Sequence, residues 1–199
     1  KTPYIQQRNA RRHNTSVLLI DLWLNAPLSR AMLAQRNGLT KATVSAICDE
    51  LAALNLICDA GQDRTSLGRP GSLLEINPLA RGAIGLEIST NYVAALLVDL
   101  RGDTLWRQIL PISAGAKEEA VLSQADSLLA SAIENAQQSA LPLLGIGVAA
   151  PGMVDSEAGI VVNASSLGWK NTILKTRWES RFLLPVIVEN KARSAAMTE

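Results

Sequence analysis

Residues 28–51 read LSRAMLAQRNGLTKATVSAICDEL, and the reading of this stretch decides the fold of the first part of the chain. Ser29 can accept a hydrogen bond from an orphan backbone N–H, so the spacing predicts a helix over 30–37 with Ser29 as its cap. Gly38 ends that helix, as a residue that tolerates positive φ. Thr40 caps a second helix, whose apolar positions Val44, Ile47 and Leu51 recur at helical spacing. Ala34, four residues before Gly38, is small where two helices would meet. Ala34, Gly38, Val44 and Ile47 together carry the spacing of a helix-turn-helix, in which the second helix enters a DNA major groove. Lys41, Ala42, Thr43, Ser45 and Ala46 would then face outward. Small and hydroxylic residues let a helix approach base edges, and Lys41 can reach a phosphate or a guanine. A helical hairpin inside an ordinary core has the same spacing, so the flanking sequence has to separate the two readings.

On the N-terminal side, residues 1–12 are polar and basic, with Arg8, Arg11 and Arg12 close together. They read either as a frayed terminus or as an arm on DNA phosphate. Residues 14–23 predict an amphipathic helix, with Val17, Leu18, Ile20, Leu22 and Leu24 as its apolar surface, and Pro27 closes it off. On the C-terminal side, 52–55 finish the second helix of the pair, and 56–60 and 72–76 read as strands. Between them lies the loop GQDRTSLGRPG, residues 61–71. Three helices and a two-stranded hairpin make a winged helix, with Gly68-Arg69-Pro70-Gly71 at the wing tip. Arg69 could enter a narrow minor groove, where the potential is most negative; a plain solvated turn has the same composition. The candidate DNA-contacting residues are Arg12, Arg30, Thr40, Lys41, Ala42, Thr43, Ser45 and Arg69.

Charge is distributed accordingly. The net charge is only +1 over 199 residues, but residues 1–75 carry nine Lys/Arg against six Asp/Glu, and the remainder is net acidic. A basic front on a near-neutral body fits a DNA-binding head. Hydrophobic residues make up 48% of the chain, enough for a packed core and too many for disorder. Two cysteines, Cys48 and Cys58, with one distant histidine form neither a zinc site nor a disulfide framework. Two thiols, no signal peptide and no membrane-spanning run lead to the expectation of a cytoplasmic protein.

The pattern changes after the linker 77–81. Residues 83–89, 92–100 and 104–113 predict three successive strands, with turns at Thr90-Asn91 and Arg101-Gly102-Asp103. Residues 117–139 predict a long helix, with Val121, Leu122, Leu128, Leu129 and Ile133 apolar. The near-continuous apolar run 143–149 predicts a buried strand parallel to its neighbour. It ends in Ala150-Pro151-Gly152, a sharp loop at the carboxyl end of a strand, where α/β folds bind ligands. A helix over 174–182, a buried strand over 185–188 and the start of a helix at 192 complete an α/β lobe. The expected class is α+β, with a domain boundary between 80 and 82.

Head, wing and lobe together resemble the ROK family (repressors, open reading frames and sugar kinases) on its transcriptional-regulator side. The resemblance rests on Arg11-Arg12-His13-Asn14, Leu28-Ser29-Arg30, the run from Gly38 to Ser45, and Leu67-Gly68-Arg69-Pro70 in the head. In the lobe it rests on Gly145-Ile146-Gly147-Val148, Pro151-Gly152-Met153-Val154-Asp155, Asn163 with Leu167-Gly168-Trp169, Leu184-Pro185-Val186, and Val188-Glu189-Asn190. It implies an actin-like ATPase (ribonuclease-H-like) fold for 82–199.

The family's kinases carry Asp-x-Gly-Gly-Thr after the first strand; this chain has Glu87-Ile88-Ser89-Thr90-Asn91, with both glycines replaced. Where the kinases carry Glu-Asn-Asp-Ala, this chain has Glu189-Asn190-Lys191-Ala192, and an ammonium cannot act as the base. The resemblance therefore implies a regulator rather than an enzyme, with no cofactor: the family's zinc motif would lie beyond Glu199, where the chain stops as a helix begins. It also implies a sugar or sugar-phosphate effector near Pro151, Gly152, Asn163, Asn190 and Lys191. Asn163 and Asn190 could equally cap loops, and Lys191 could attract an anion or simply face solvent. The expected partners are an operator in double-stranded DNA and a second copy of the chain, with no membrane. A sugar kinase with an accessory head and a lobe kept only for dimerisation are the competing expectations.

Overall fold

The computed structural model describes residues 3–62 and 71–196, with residues 3–8 described by backbone alone. The chain separates into two compact units, 1–80 and 81–199.

The first unit begins with helix α1 (Pro3–Asn25), followed by strand β1 (Leu28–Ser29), α2 (Arg30–Asn37) and α3 (Lys41–Ala53). Helix α1 reaches back to Pro3, so Arg8, Arg11 and Arg12 lie on a helix rather than in a frayed tail. The two helices of the central stretch form as their caps dictate. The Ser29 hydroxyl accepts from the Met32 N–H at 3.2 Å, and Gly38 takes up a left-handed φ of 62°. Thr40 Oγ1 accepts from the Thr43 N–H, also at 3.2 Å. Strands β2 (Ile57–Gln62) and β3 (Ser72–Ile76) pair antiparallel. The sheet has a third member that the sequence did not predict: β1 lies along β3, pairing Leu28 with Leu74 and Ser29 with Leu73. Leu18 and Leu22 of α1, Leu33 of α2, and Val44 and Ile47 of α3 are fully buried. The predicted apolar surface of α1 was too wide, because Ile20 and Leu24 are 56% and 64% exposed. A single 3₁₀ turn, Pro78–Ala80, lies in the predicted linker. The wing tip with Arg69 lies outside the described residues.

The second unit is built on a five-stranded sheet. Strands β4 (Gly82–Ile88), β5 (Tyr92–Asp99) and β6 (Thr104–Pro111) form the antiparallel meander, and α4 (Glu118–Gln138) follows. Then β7 (Leu143–Ala150) and β11 (Val186–Asn190) add parallel strands beyond β4, giving the order β11-β7-β4-β5-β6. Between those two strands the chain makes a small antiparallel sheet of β8 (Met153–Asp155), β9 (Ile160–Ala164) and β10 (Trp169–Ile173), which sequence reasoning missed. Helix α5 (Lys175–Phe182) leads into β11, and α6 (Lys191–Ala196) leaves it. The core lies between α4 and the sheet, with Ile84, Leu86 and Ile88 alternating inward along β4.

One buried carboxylate ties the outer helices of this core together. Asp126 on α4 accepts from Trp178 Nε1 at 2.7 Å, from Arg181 at 2.8 Å and from Arg177 at 2.9 Å, all three on α5. Three parallel strands, β4, β7 and β11, thus end side by side at one edge of the sheet. Loop backbone and side chains gather at such an edge in α/β folds.

Candidate functional site

Helix α3 divides its surface cleanly. Val44, Ile47, Cys48 and Leu51 point into the core, while Lys41, Ala42 and Ala46 are exposed and Thr43 and Ser45 are half-buried. Its two acidic residues are each neutralised from a neighbouring helix. Arg30 of α2 pairs with Asp49 at 2.6 Å and donates toward the Ser45 carbonyl at 3.5 Å. Arg11 of α1 pairs with Glu50. Of the basic residues expected at DNA, Arg30 therefore has an internal partner, whereas Arg12 and Lys41 are exposed and make no ion pair among the described residues. Thr40 and Thr43 bond each other at 2.9 Å, so both hydroxyls help to close the cap. An open cleft of about 410 Å³ separates α1 at Ala10, Arg11 and Asn14 from α3 at Ala42, Thr43 and Ala46.

Helix α1 is joined to the end of α2 by Asp21, which sequence reasoning counted as a charge and did not place. It is 9% exposed. Its carboxylate accepts from Arg36 at 2.8–3.1 Å, from Asn37 at 2.8 Å and from Asn25 at 2.9 Å. The Arg36 guanidinium, aided by the two amides, outweighs burial and holds the carboxyl below the ordinary carboxylate range. An acidic residue flanked by Leu18 and Leu22 on one helical stripe was the available signal.

In the second unit, the structure brings the predicted ligand residues together at the carboxyl edge of the parallel strands. Gly152 has φ 86°, and a Cβ there would come within 2.2 Å of the Asn163 carbonyl oxygen. The Pro151-Gly152 loop therefore rests directly on the backbone of β9. Asn190 Nδ2 donates to the Gly152 carbonyl at 2.6 Å, and its Oδ1 accepts from the Arg193 N–H at 3.1 Å. The Asn190 amide thus fixes the loop and caps α6. Asn163 is exposed, with its amide 3.4 Å from the Ser165 hydroxyl.

Lys191 does not stand free for an anion, nor does it simply face solvent. Its ammonium lies 2.6 Å from Glu87 Oε1 and 3.5 Å from Ser89 Oγ, and it sits 5.5 Å from the centre of the Tyr92 ring. The Tyr92 hydroxyl donates to the same Glu87 oxygen at 2.6 Å. Partial burial pushes the Glu87 carboxyl up, but the hydrogen bonds from Lys191 and Tyr92 outweigh it, and the net shift is downward. The bond to Glu87 raises Lys191. Glu87 stands where the kinase motif has its aspartate, and Lys191 where the kinases have their base. The missing glycines of the first motif and Lys191 read as separate losses in sequence; in the fold Glu87 of that motif and Lys191 form one ion pair joining the end of β4 to the start of α6.

Residues 83–199 match the sequence pattern of the ROK family. This chain belongs to the ROK family. The xylose repressor of Bacillus spizizenii is 32% identical over 193 residues, which cover 97% of this chain and 50% of that protein. The chain spans about half the length of the curated relatives it matches. A solved ROK family transcriptional regulator, a homologue of the E. coli MLC protein, superposes with a TM-score of 0.73 over 94% of this chain and 47% of its own, at 24% identity. That likeness concerns the fold. A ROK family glucokinase from Streptomyces griseus, solved with glucose and AMPPNP, aligns at TM-score 0.51 and 30% identity, over 58% of this chain and 35% of its own. Regulators and kinases of the family thus share the mixed α/β architecture, while the repressor match alone of these two sequence likenesses extends through the first unit. Among the described residues, no three His, Cys, Asp or Glu side chains cluster to hold a metal, and no helix is long and apolar enough to cross a membrane.

Proposed function

We propose that this chain carries the operator-binding head and part of the effector lobe of a sugar-responsive transcriptional repressor. Residues 1–80 act as a winged helix-turn-helix and 82–199 as the first half of an actin-like lobe. The observation that carries this reading is the reach of the likeness to a repressor: it covers 97% of the chain, head included, whereas the glucokinase likeness covers 58%. The α2–α3 pair supports it, because its capped second helix exposes Lys41, Ala42 and Ala46, and Arg12 is exposed on α1. In this reading α3 enters the major groove, with Thr40, Thr43 and Ser45 at its shoulder. Arg69 enters the adjacent minor groove, and Arg30 acts indirectly by neutralising Asp49. A homodimer would read two half-sites about one helical turn, ~34 Å, or a multiple apart. The lobe binds a sugar or sugar derivative at the edge formed by Pro151, Gly152, Asn163, Asn190 and Lys191. Two free thiols suit a reducing cytoplasm.

The kinase reading is disfavoured by the Glu87–Lys191 pair, which puts an engaged ammonium where a proton acceptor is needed. A binding-site selection on genomic fragments at two salt concentrations tests the proposal. An enriched palindrome is expected, with a salt slope that falls by about 1 on replacing either Arg12 or Lys41 by alanine. No enrichment from a dimeric protein, or ADP formation from ATP with any of a panel of sugars, would overturn it.

A further inference from the structure

The effector reading leaves open whether the ligand is charged, and the edge of the parallel strands bears on that question. Glu87, Ala149 and Glu189 lie level across β4, β7 and β11, so their side chains share one face of the sheet at its carboxyl end. Both acids on that face already have partners. Glu87 is bound by Lys191 and Tyr92; Glu189 accepts from Ser156 at 3.0 Å and lies 3.6 Å from Arg193. Arg107 on β6 attracts Glu87 more weakly than Lys191 does. The two cations of α6, Lys191 and Arg193, therefore each meet a carboxylate of this chain.

The central pair still has hydrogen-bonding capacity. Both bonds to Glu87 fall on Oε1, so Oε2 can accept, and Ser89, which accepts from the Lys191 ammonium, keeps its own O–H to donate. Side-chain exposures of 44% for Lys191 and 35% for Glu87 leave that capacity open to solvent. One acceptor next to one donor, with the two charges cancelled, is complementary to a pair of neighbouring hydroxyls. A phosphate or carboxylate would have to displace Glu87 from Lys191, or lie against an ionised carboxylate.

Resting on the proposal that the lobe holds a sugar effector, we infer that this effector is an uncharged sugar, selected against its phosphate by the Glu87–Lys191 pair. Glu87 and Lys191 are then the residues that set specificity, while Asn190 positions the loop beside them.

Isothermal titration of the full chain with D-xylose, D-glucose and N-acetyl-D-glucosamine, and with D-glucose 6-phosphate and N-acetyl-D-glucosamine 6-phosphate, tests this. An uncharged sugar should bind, and a 6-phosphate should bind at least about tenfold more weakly than its parent sugar, the size of one unmade charge-assisted hydrogen bond. Glu87→Gln releases the Lys191 charge and should move the ratio toward the 6-phosphate by about tenfold. A gain of that kind cannot come from a damaged fold. A wild-type preference for the phosphate, or an unchanged ratio in Glu87→Gln, would overturn the inference and leave the effector reading standing. Binding of no sugar in either form would remove both.

Discussion

Replacing Asp21 by asparagine should loosen α1 from α2 without touching the exposed surface of α3. Every contact to Asp21 comes from a donor: the Arg36 guanidinium and the side-chain amides of Asn25 and Asn37. An asparagine keeps one acceptor oxygen and turns an NH₂ group into the remaining donors. Breaking a buried ion pair by removing one partner costs about 3–5 kcal/mol. Here the Asp21 side chain is 10% exposed but Arg36 is 45% exposed and can regain water. The expected loss is therefore nearer ~2 kcal/mol.

Hydrogen exchange localises that loss to the first unit. The slowest amides of α2 and α3 should lose protection by roughly 30-fold in Asp21→Asn, while those of β4 and β7 stay unchanged. The pH dependence has a definite sign. The folded carboxyl lies below its ordinary value of about 3.9, so its stabilisation is complete above that pH and disappears as pH falls through the folded-state value. Wild-type protection should thus drop in acid more steeply than that of Asp21→Asn, and the two should converge. Protection in the variant within about threefold of wild type at neutral pH would refute the reasoning, because the network would then be worth less than ~0.7 kcal/mol.

Two further predictions concern the second unit. Gly152→Ala combines a left-handed φ of 86° with a Cβ placed 2.2 Å from the Asn163 carbonyl oxygen. It should lower stability by about 2 kcal/mol or more and displace the loop that Asn190 holds, visible as a lower thermal midpoint and altered amide shifts in β9. Asp126→Ala leaves the fully buried Trp178 indole N–H without its acceptor and separates Arg177 and Arg181 from their shared carboxylate. A loss of about 3 kcal/mol in urea unfolding is expected, with Asp126→Asn retaining part of it through an indole acceptor.

The legible parts of this chain are those fixed by neighbours in sequence. Ser29, Gly38 and Thr40 mark helix ends through contacts within a few residues, so α2 and α3 could be placed from composition and spacing. The meander β4–β6 was legible because its apolar runs are long and its turns are short. What escaped depends on pairing between distant residues. Strand β1 is two residues long and exists only because β3 lies beside it; the strands of the β8–β10 sheet are three to five residues long and carry little pattern of their own. The same holds for the site. Asn190, Gly152 and Asn163 were placed together by the family resemblance, but Glu87, the partner of Lys191, is 104 positions away in sequence, and its motif was read as an independent loss through its replaced glycines. Ile20 and Leu24 were misplaced because period alone cannot tell how wide a stripe a small core will cover.

The two-residue strand β1 has a mechanical consequence. Ser29 is at once the last rung of the sheet beside Leu73 and the cap whose hydroxyl receives the first turn of α2. A hairpin and a helix that share one residue cannot swing separately, since tilting the β2–β3 hairpin drags the start of α2 with it. In the proposed complex with DNA, contacts made by the hairpin and by the helix pair would therefore move together.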